Sequence, residues 1–257
     1  MTMVSNVTIA SMIGFILYSF LLFAGFILFN KRRTGISIKP LIVGSVGFIV
    51  ITQVLEKLLH LVVITQFPNY ADHPVLFGIY GGLAAGIFEE VGRFILFTWL
   101  LKKYLDYKGG LSFGIGWGGI EAVVLALTMT LPNIIFSFMI NSGTFDTAMA
   151  AQFPSDQISM IKETILSQNA AFYLLGVSER FFALFLQIAL SLFVLVAVIK
   201  KKKSYLIYAI LIHAAIDFPF VFIQTGHFTS LWVLEIYLAV IGILSIFFIK
   251  KMKKSLQ

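Results

Sequence analysis

The chain of 257 residues has no cysteine, which excludes disulfides, thiolate metal sites and cysteine nucleophiles and leaves the redox compartment unmarked. Charge is scarce too. Only 12% of the residues are charged while 59% are hydrophobic, 27 are phenylalanine, and the mean hydropathy is +0.96. Only residues 141–168 form a sizeable polar stretch. There is no HExxH, no phosphate loop, no GxSxG and no Ser/His dyad at a readable spacing, so the motif-bearing hydrolase and nucleotide-binding classes find no support.

What is present is a series of apolar runs that exceed the roughly 20 residues needed to cross a bilayer. The expectation is an all-α polytopic membrane protein, one integral domain over residues 1–257, with seven transmembrane helices or eight in an alternative division. The spans are about Val7 to Phe29, Leu41 to Gln66, Val75 to Leu101, Leu111 toward Ile140, Ala170 to Ile199, Tyr205 to Ile223 and Leu231 to Ile249. The first is long and lacks a small-residue cleavage site, as expected of a retained helix rather than a signal peptide. Pro132 and Asn133 are expected to kink the fourth or end it early, because proline removes a backbone donor and clashes with the preceding turn. Residues 141–168 read as an extracytoplasmic loop that can hold a short interfacial helix.

The net charge of +7 does not point to nucleic acid, because the bases lie in short clusters between the apolar runs. Fifteen of the 19 lysines and arginines follow the first, third, fifth and seventh spans. The positive-inside rule then puts the amino terminus outside and the carboxyl terminus in the cytoplasm. No internal repeat is visible.

The third span carries FEEVGRF, Phe88 to Phe94. An ionisable residue at the bilayer midplane costs at least ~2.5 to 3.5 kcal/mol even on a lenient scale, so three in five residues need partners and a protein or water environment. Glu89 and Arg93, four apart, share a helix face. Glu90 points about 100° away and calls for a partner on another helix. Counting inward, Glu89 in the third span, Glu121 in the fourth, Glu179 in the fifth and His213 in the sixth all fall within roughly one or two turns of one layer. A common cavity explains that coincidence better than independent structural groups.

Pairs four apart recur: Glu56 with His60, Glu89 with Arg93, Trp117 with Glu121, and His213 with Asp217. His213 oriented by Asp217 suits a donor to a developing oxyanion, or else a satisfied buried histidine. Glu56 and His60, nearer the outer surface, read as structural. Glu179 and Arg180 point in different directions on their helix, and Arg180 is a candidate partner for Glu90 or Glu121. The glycines of GGLAAG (Gly81 to Gly86) and GIGWGG (Gly114 to Gly119) allow close helix approach, and leave room for substrate backbone or water. By ligand type Glu89, Glu121 and His213 could hold a divalent metal, although nothing in the sequence requires a cofactor.

Four motifs in order carry a resemblance: Glu89, Glu90 and Arg93; Phe113, Trp117, Gly118, Gly119, Glu121 and Ala122; Glu179 with Arg180; and His213 with Asp217. Together they resemble the YhfC-type intramembrane peptidases, which are similar to the CAAX-prenyl endopeptidases and the PrsW proteases. The resemblance covers about residues 50 to 220. It implies a glutamate-dependent peptide hydrolase in a bacterial cytoplasmic membrane, acting on a peptide or membrane-protein substrate. Glu89 would activate water, Glu90 and Arg93 would support it, and His213 with Asp217 would stabilise the oxyanion. Trp117 and Gln187 stand where the pattern has histidine. Tryptophan donates one hydrogen bond and neither accepts one nor carries a proton. A catalytically silent protein of the same fold that binds a membrane partner is therefore the alternative. A coupled transporter would also keep carboxylates at the midplane, but the chain shows neither repeated halves nor paired broken helices.

Overall fold

The computed structural model describes residues 3–227 and 230–256. Residues 1, 2 and 257, at the ends of the expected domain, lie outside them, as do 228 and 229. The described residues contain helices and no strand, and seven helical segments are long and apolar enough to cross a membrane.

The first segment, α1 (Asn6–Arg33), starts where the Ser5 side chain accepts from the Thr8 amide, and ends in Lys31, Arg32 and Arg33. The second runs over Ile38–Gln66 as α2 (Ile38–Phe48), a π-helical stretch (Ile49–Glu56) and α3 (Lys57–Gln66). Such wide turns are rare and tend to sit at functional sites. This one carries Thr52 and Glu56 to buried positions. Then come α4 (Pro74–Trp99), with proline at its first turn, and α5 (Tyr107–Ser142), capped by the Asp106 carboxylate on the Gly109 amide.

The 36-residue α5 overturns one of the two outcomes expected at Pro132 and Asn133, an early end. The helix passes through both and stops only at Gly143, whose φ of 76° suits the left-handed end of a helix. Proline forfeits one backbone bond, whereas ending the helix among apolar neighbours would strand several. Asn133 also donates to Gln168 at 3.1 Å, which ties this part of α5 to the chain entering the next span.

Residues 141–168 hold two short helices, α6 (Phe145–Met149) and α7 (Ser155–Ser167). Ile158 and Ile165, seven apart on one face of α7, join Val4, Ile9, Ile140, Phe145 and Met149 in a small core. Asn141 clamps the chain start by bonds to the Val4 N–H and C=O at 2.8 and 2.9 Å. The segment is therefore packed over the ends of α1 and α5 rather than open loop.

The fifth span is α8 (Ala170–Lys200), whose apolar stretch is 67% buried against 22–39% for the other six. It is the central helix, and it contacts α1, α4, α5, α9 and α11. The sixth span, expected to be continuous, is α9 (Lys203–Asp217), a tight turn (Phe218–Phe220) and α10 (Val221–Gln224). Pro219 accounts for the break just after Asp217, because it has no backbone N–H to donate to the Ala215 carbonyl, which accepts from the Tyr237 hydroxyl at 3.4 Å instead. The last span is α11 (Leu231–Ser255). Leu17, Leu21, Leu61, Leu244 and Phe247 are all more than half exposed, as expected of a bundle facing lipid.

A candidate active site between the helices

A cavity of about 860 Å³ lies among α3, α4, α5, α8, α9, α10 and α11. Glu89, Glu121, Glu179 and His213 all line it. Their shared depth in the sequence thus corresponds to a shared space.

At its inner end the site is built from α4. Arg93 is fully buried, and it donates through Nη1 to Glu90 Oε1 and through Nη2 to Glu89 Oε2, the latter at 2.6 Å. One guanidinium thus serves carboxylates three and four residues before it, a spacing only a helix allows. Arg93 also donates to Gln187 Oε1 on α8, and its guanidinium lies 4.7 Å from the Trp117 ring centre. Trp117 donates its indole N–H to Glu89 Oε2 at 3.0 Å. Behind it, Phe97, Phe113 and Phe48 form an aromatic wall, with ring centres 4.5 to 5.9 Å apart along the series.

Glu90 has the cross-helix partner it needed. His213 on α9 brings Nδ1 to 2.6 Å from Glu90 Oε1, and its Nε2 lies 3.3 Å from Asp217 Oδ2. A glycine face on α4 makes this reach possible. A Cβ on Gly82 would lie 2.5 Å from the Ala214 carbonyl oxygen, and one on Gly86 would lie 2.7 Å from that of Ile210. The two backbones therefore touch where larger residues would hold them apart. On the opposite side, a Cβ at Gly118 would meet Gln187 Cβ at 2.8 Å, and that contact brings Gln187 to Arg93.

A second cluster sits apart from the first. Arg180 donates to Glu121 at 3.4 Å and to its own neighbour Glu179. The expectation that Glu179 and Arg180 diverge is corrected, because the long arginine side chain folds back to meet the adjacent carboxylate. Of its two candidate partners, Arg180 meets Glu121 and not Glu90. Glu235 of α11 lies within Coulombic reach of Glu179 and Arg180 and also lines the cavity. Sequence reasoning missed it, although a lone carboxylate five residues into an apolar span is the same kind of signal as Glu89.

Glu56 and His60 also line the cavity. His60 contacts Glu56 at 3.2 Å and the Tyr80 hydroxyl at 2.6 Å, so the pair forms one polar wall of the chamber. Tyr80, Gln224 and Asn133 are further lining residues that the sequence did not flag. His73 and His227 are exposed, as loop residues should be.

Metal-ligating atoms come together in a set other than the one expected. Glu89, Glu90 and His213 offer donor atoms within 4.8 Å of one another, whereas Glu121 is turned toward Arg180. Two carboxylates and an imidazole are the right kind of donors for a divalent ion. Glu90 Oε2 is buried without a hydrogen-bond partner, and Asp217 orients the imidazole as a carboxylate does for a metal-bound histidine. The set fits such an ion in kind. Arg93 holds oxygens of both carboxylates, so an ion would compete with the guanidinium for the same negative charge.

Seven spanning helices around a buried carboxylate–histidine centre and a cavity lined by six acidic residues define a polytopic membrane protein with ionisable groups gathered between its helices. The chain belongs to the YhfC intramembrane metalloprotease family, whose sequence description matches residues 18–238. It is 37% identical over 242 residues to the uncharacterized membrane protein YhfC of Bacillus subtilis (strain 168), a match covering 93% of this chain and 94% of that one. No solved structure matches it.

Proposed function

We propose that the protein is a glutamate-dependent intramembrane peptidase that hydrolyses a peptide bond in a membrane-embedded or membrane-proximal substrate. The observation that carries this reading is the hydrogen bonding of Glu89. Arg93 and Trp117 both donate to Oε2, which leaves Oε1 for a water in the cavity that Glu89 lines. A carboxylate so held is oriented without being sealed off, as a general base must be.

Glu89 takes the proton of that water as its oxygen attacks the carbonyl carbon, giving a tetrahedral intermediate. The negative oxygen formed is met by the His213 Nε2–H, whose 3.3 Å contact to Asp217 is loose enough to be exchanged for a shorter one. Glu89 then returns its proton to the departing nitrogen as the C–N bond breaks, leaving a carboxylic acid and an amine. Glu90 and Arg93 keep their neighbours in place, with Glu90 on Nδ1 of His213 and Arg93 across both glutamates. A divalent ion, when bound, would be held by Glu89, Glu90 and His213 and would supply Lewis-acid polarisation and a more acidic water. The site belongs in a bacterial cytoplasmic membrane with the amino terminus outside, the whole chain forming one membrane domain and residues 141–168 facing the exterior.

Terminal-peptide mass spectrometry tests this on membranes of cells lacking the protein and complemented with wild type or Glu89→Gln. New termini that need Glu89 are the expected result. Identical termini in both would overturn the reading. One observation favours the silent, partner-binding alternative: an indole and an amide, Trp117 and Gln187, fill the places beside Glu89 and Arg93 where the family pattern has histidine. Cleavage that appears only in Trp117→His would decide for that alternative.

A further inference from the structure

The protein carries a net charge of +7, yet the cavity is acidic. Glu56, Glu89, Glu121, Glu179, Asp217 and Glu235, half of the twelve acidic residues, line it. Among the described residues Arg180 is the one lysine or arginine that lines it.

The two clusters divide this charge unequally. Around Arg93 the carboxylates of Glu89 and Glu90 are bonded to the guanidinium, and His213 adds a further partner. Around Arg180 there are three carboxylates, Glu121, Glu179 and Glu235, from three helices. Only Glu121 and Glu179 are bonded to it. Glu121 is 9% exposed, lines the cavity, and has a buried Oε2 with no hydrogen-bond partner. Glu235 Oε2 is likewise buried and unpartnered. A buried acceptor left unpaired costs about 1 to 3 kcal/mol, and more when charged. Both residues line the cavity, so a donor that enters it from outside the chain can meet that need.

Position identifies that donor's role. Glu121 is one turn of α5 beyond Trp117, and Glu179 and Arg180 are about 11 Å along α8 from Gln187, all displaced away from the basic end of the bundle. Gln168, Gln224 and Leu231 line the cavity at the opposite end, so the Arg180 cluster lies between them and the Glu89 centre. A peptide reaching Glu89 from there passes it. An ammonium group carries three donors and no acceptor, which suits a cavity wall that offers carboxylates from three helices.

Resting on the peptidase reading for what enters the cavity, we propose that Glu121, Glu179 and Glu235 form a subsite for an ammonium group of the substrate, from a lysine side chain or a free amino terminus. The full-length chain in lipid nanodiscs tests this by binding rather than turnover. The probes are synthetic transmembrane peptides of about 20 apolar residues, identical except for lysine or norleucine one turn from the end, each with a free or acetylated amino terminus. Wild type binds the ammonium-bearing peptides at least about tenfold tighter than the acetylated norleucine peptide, the scale of one charge-assisted bond. If acetylation removes the preference the group recognised is the terminal amine, and if only norleucine removes it the group is lysine. Glu235→Gln, an isosteric change at a half-buried residue, reduces the preference to about twofold or less. Glu235→Lys reverses it, and a peptide with glutamate in the lysine position restores binding, which a merely structural role would not produce.

An equal affinity for all peptides, no binding of any, a preference unchanged in Glu235→Gln, or calcium chloride competing as well as the lysine peptide would each overturn the proposal. Failure of the peptidase reading is seen separately, as lysine-dependent binding with no Glu89-dependent cleavage.

Discussion

Arg93 and Arg180 are both buried between the same helices, and each gathers glutamates, but they do so to different ends. Arg93 is sealed at 0% exposure, with bonds to Glu89, Glu90 and Gln187 and a tryptophan face against it. Arg180 sits farther out with one more carboxylate than it bonds, and two of the surrounding carboxylate oxygens lack partners. The inner cluster also keeps one carboxylate oxygen, Glu90 Oε2, without a partner, but it is sealed and cross-bonded between three helices, and so it holds geometry. A cluster left short of donors and open to the cavity is poised to accept them from a ligand.

The largest test of this contrast is functional. Glu89→Gln removes the base at the inner cluster, and the yield of new substrate termini falls about 10²- to 10⁴-fold, the usual worth of a positioned general base. Glu235→Gln at the outer cluster instead leaves cleavage chemistry in place and changes which peptides are accepted, as read by the same mass spectrometry.

Next in size is the loss of the inner cation. Arg93→Met leaves two buried carboxylates without their counter-ion and costs about 3 to 5 kcal/mol, seen as a lowered melting temperature in detergent. Because Glu89, Glu90 and His213 can also face a divalent ion, zinc raises the melting temperature of Arg93→Met more than that of wild type. An equal response in both would show that the three donors do not act together.

A smaller effect separates the packing from the charges. Gly86→Val pushes a side chain against the Ile210 carbonyl and costs about 1 to 3 kcal/mol, parting α4 from α9 and with it His213 from Glu90. At Gly14, where an added Cβ would meet nothing within 4 Å, the same substitution has almost no effect on the melting temperature. Smaller than the cost of Gly86→Val is the stability change of Glu235→Gln, a gain of about 1 kcal/mol read as a raised melting temperature, since the amide removes a charge whose buried oxygen has no partner.

The membrane class, the seven spans and the polar layer at their middle were open to direct reading, because hydrocarbon penalises each misplaced charge so heavily that survivors mark a site. The helix-period pairs were equally legible: Glu89 with Arg93 and His213 with Asp217 meet as their spacing requires. Contacts between helices were not. Nothing in the order of residues distinguishes Glu90 or Glu121 as the partner of Arg180, or shows that Arg93 reaches across to Gln187. Glu235 escaped because its span carries no second polar residue at pair spacing, and an early end at Pro132 was expected because local propensity was weighed without the neighbours that keep α5 helical.

By itself, then, the sequence determined which segments enter the membrane and which charges go with them, through solvation energies that act residue by residue. The tertiary structure alone decided how those charges are shared. Glycines at which an added Cβ would lie under 3 Å from the neighbouring helix let α4 approach α9 and α5 approach α8, and that approach seals the Arg93 cluster while the Arg180 cluster stays open to the cavity. Pairing between helices depends on distances of a few ångströms, and those belong to the packed bundle rather than to any one span.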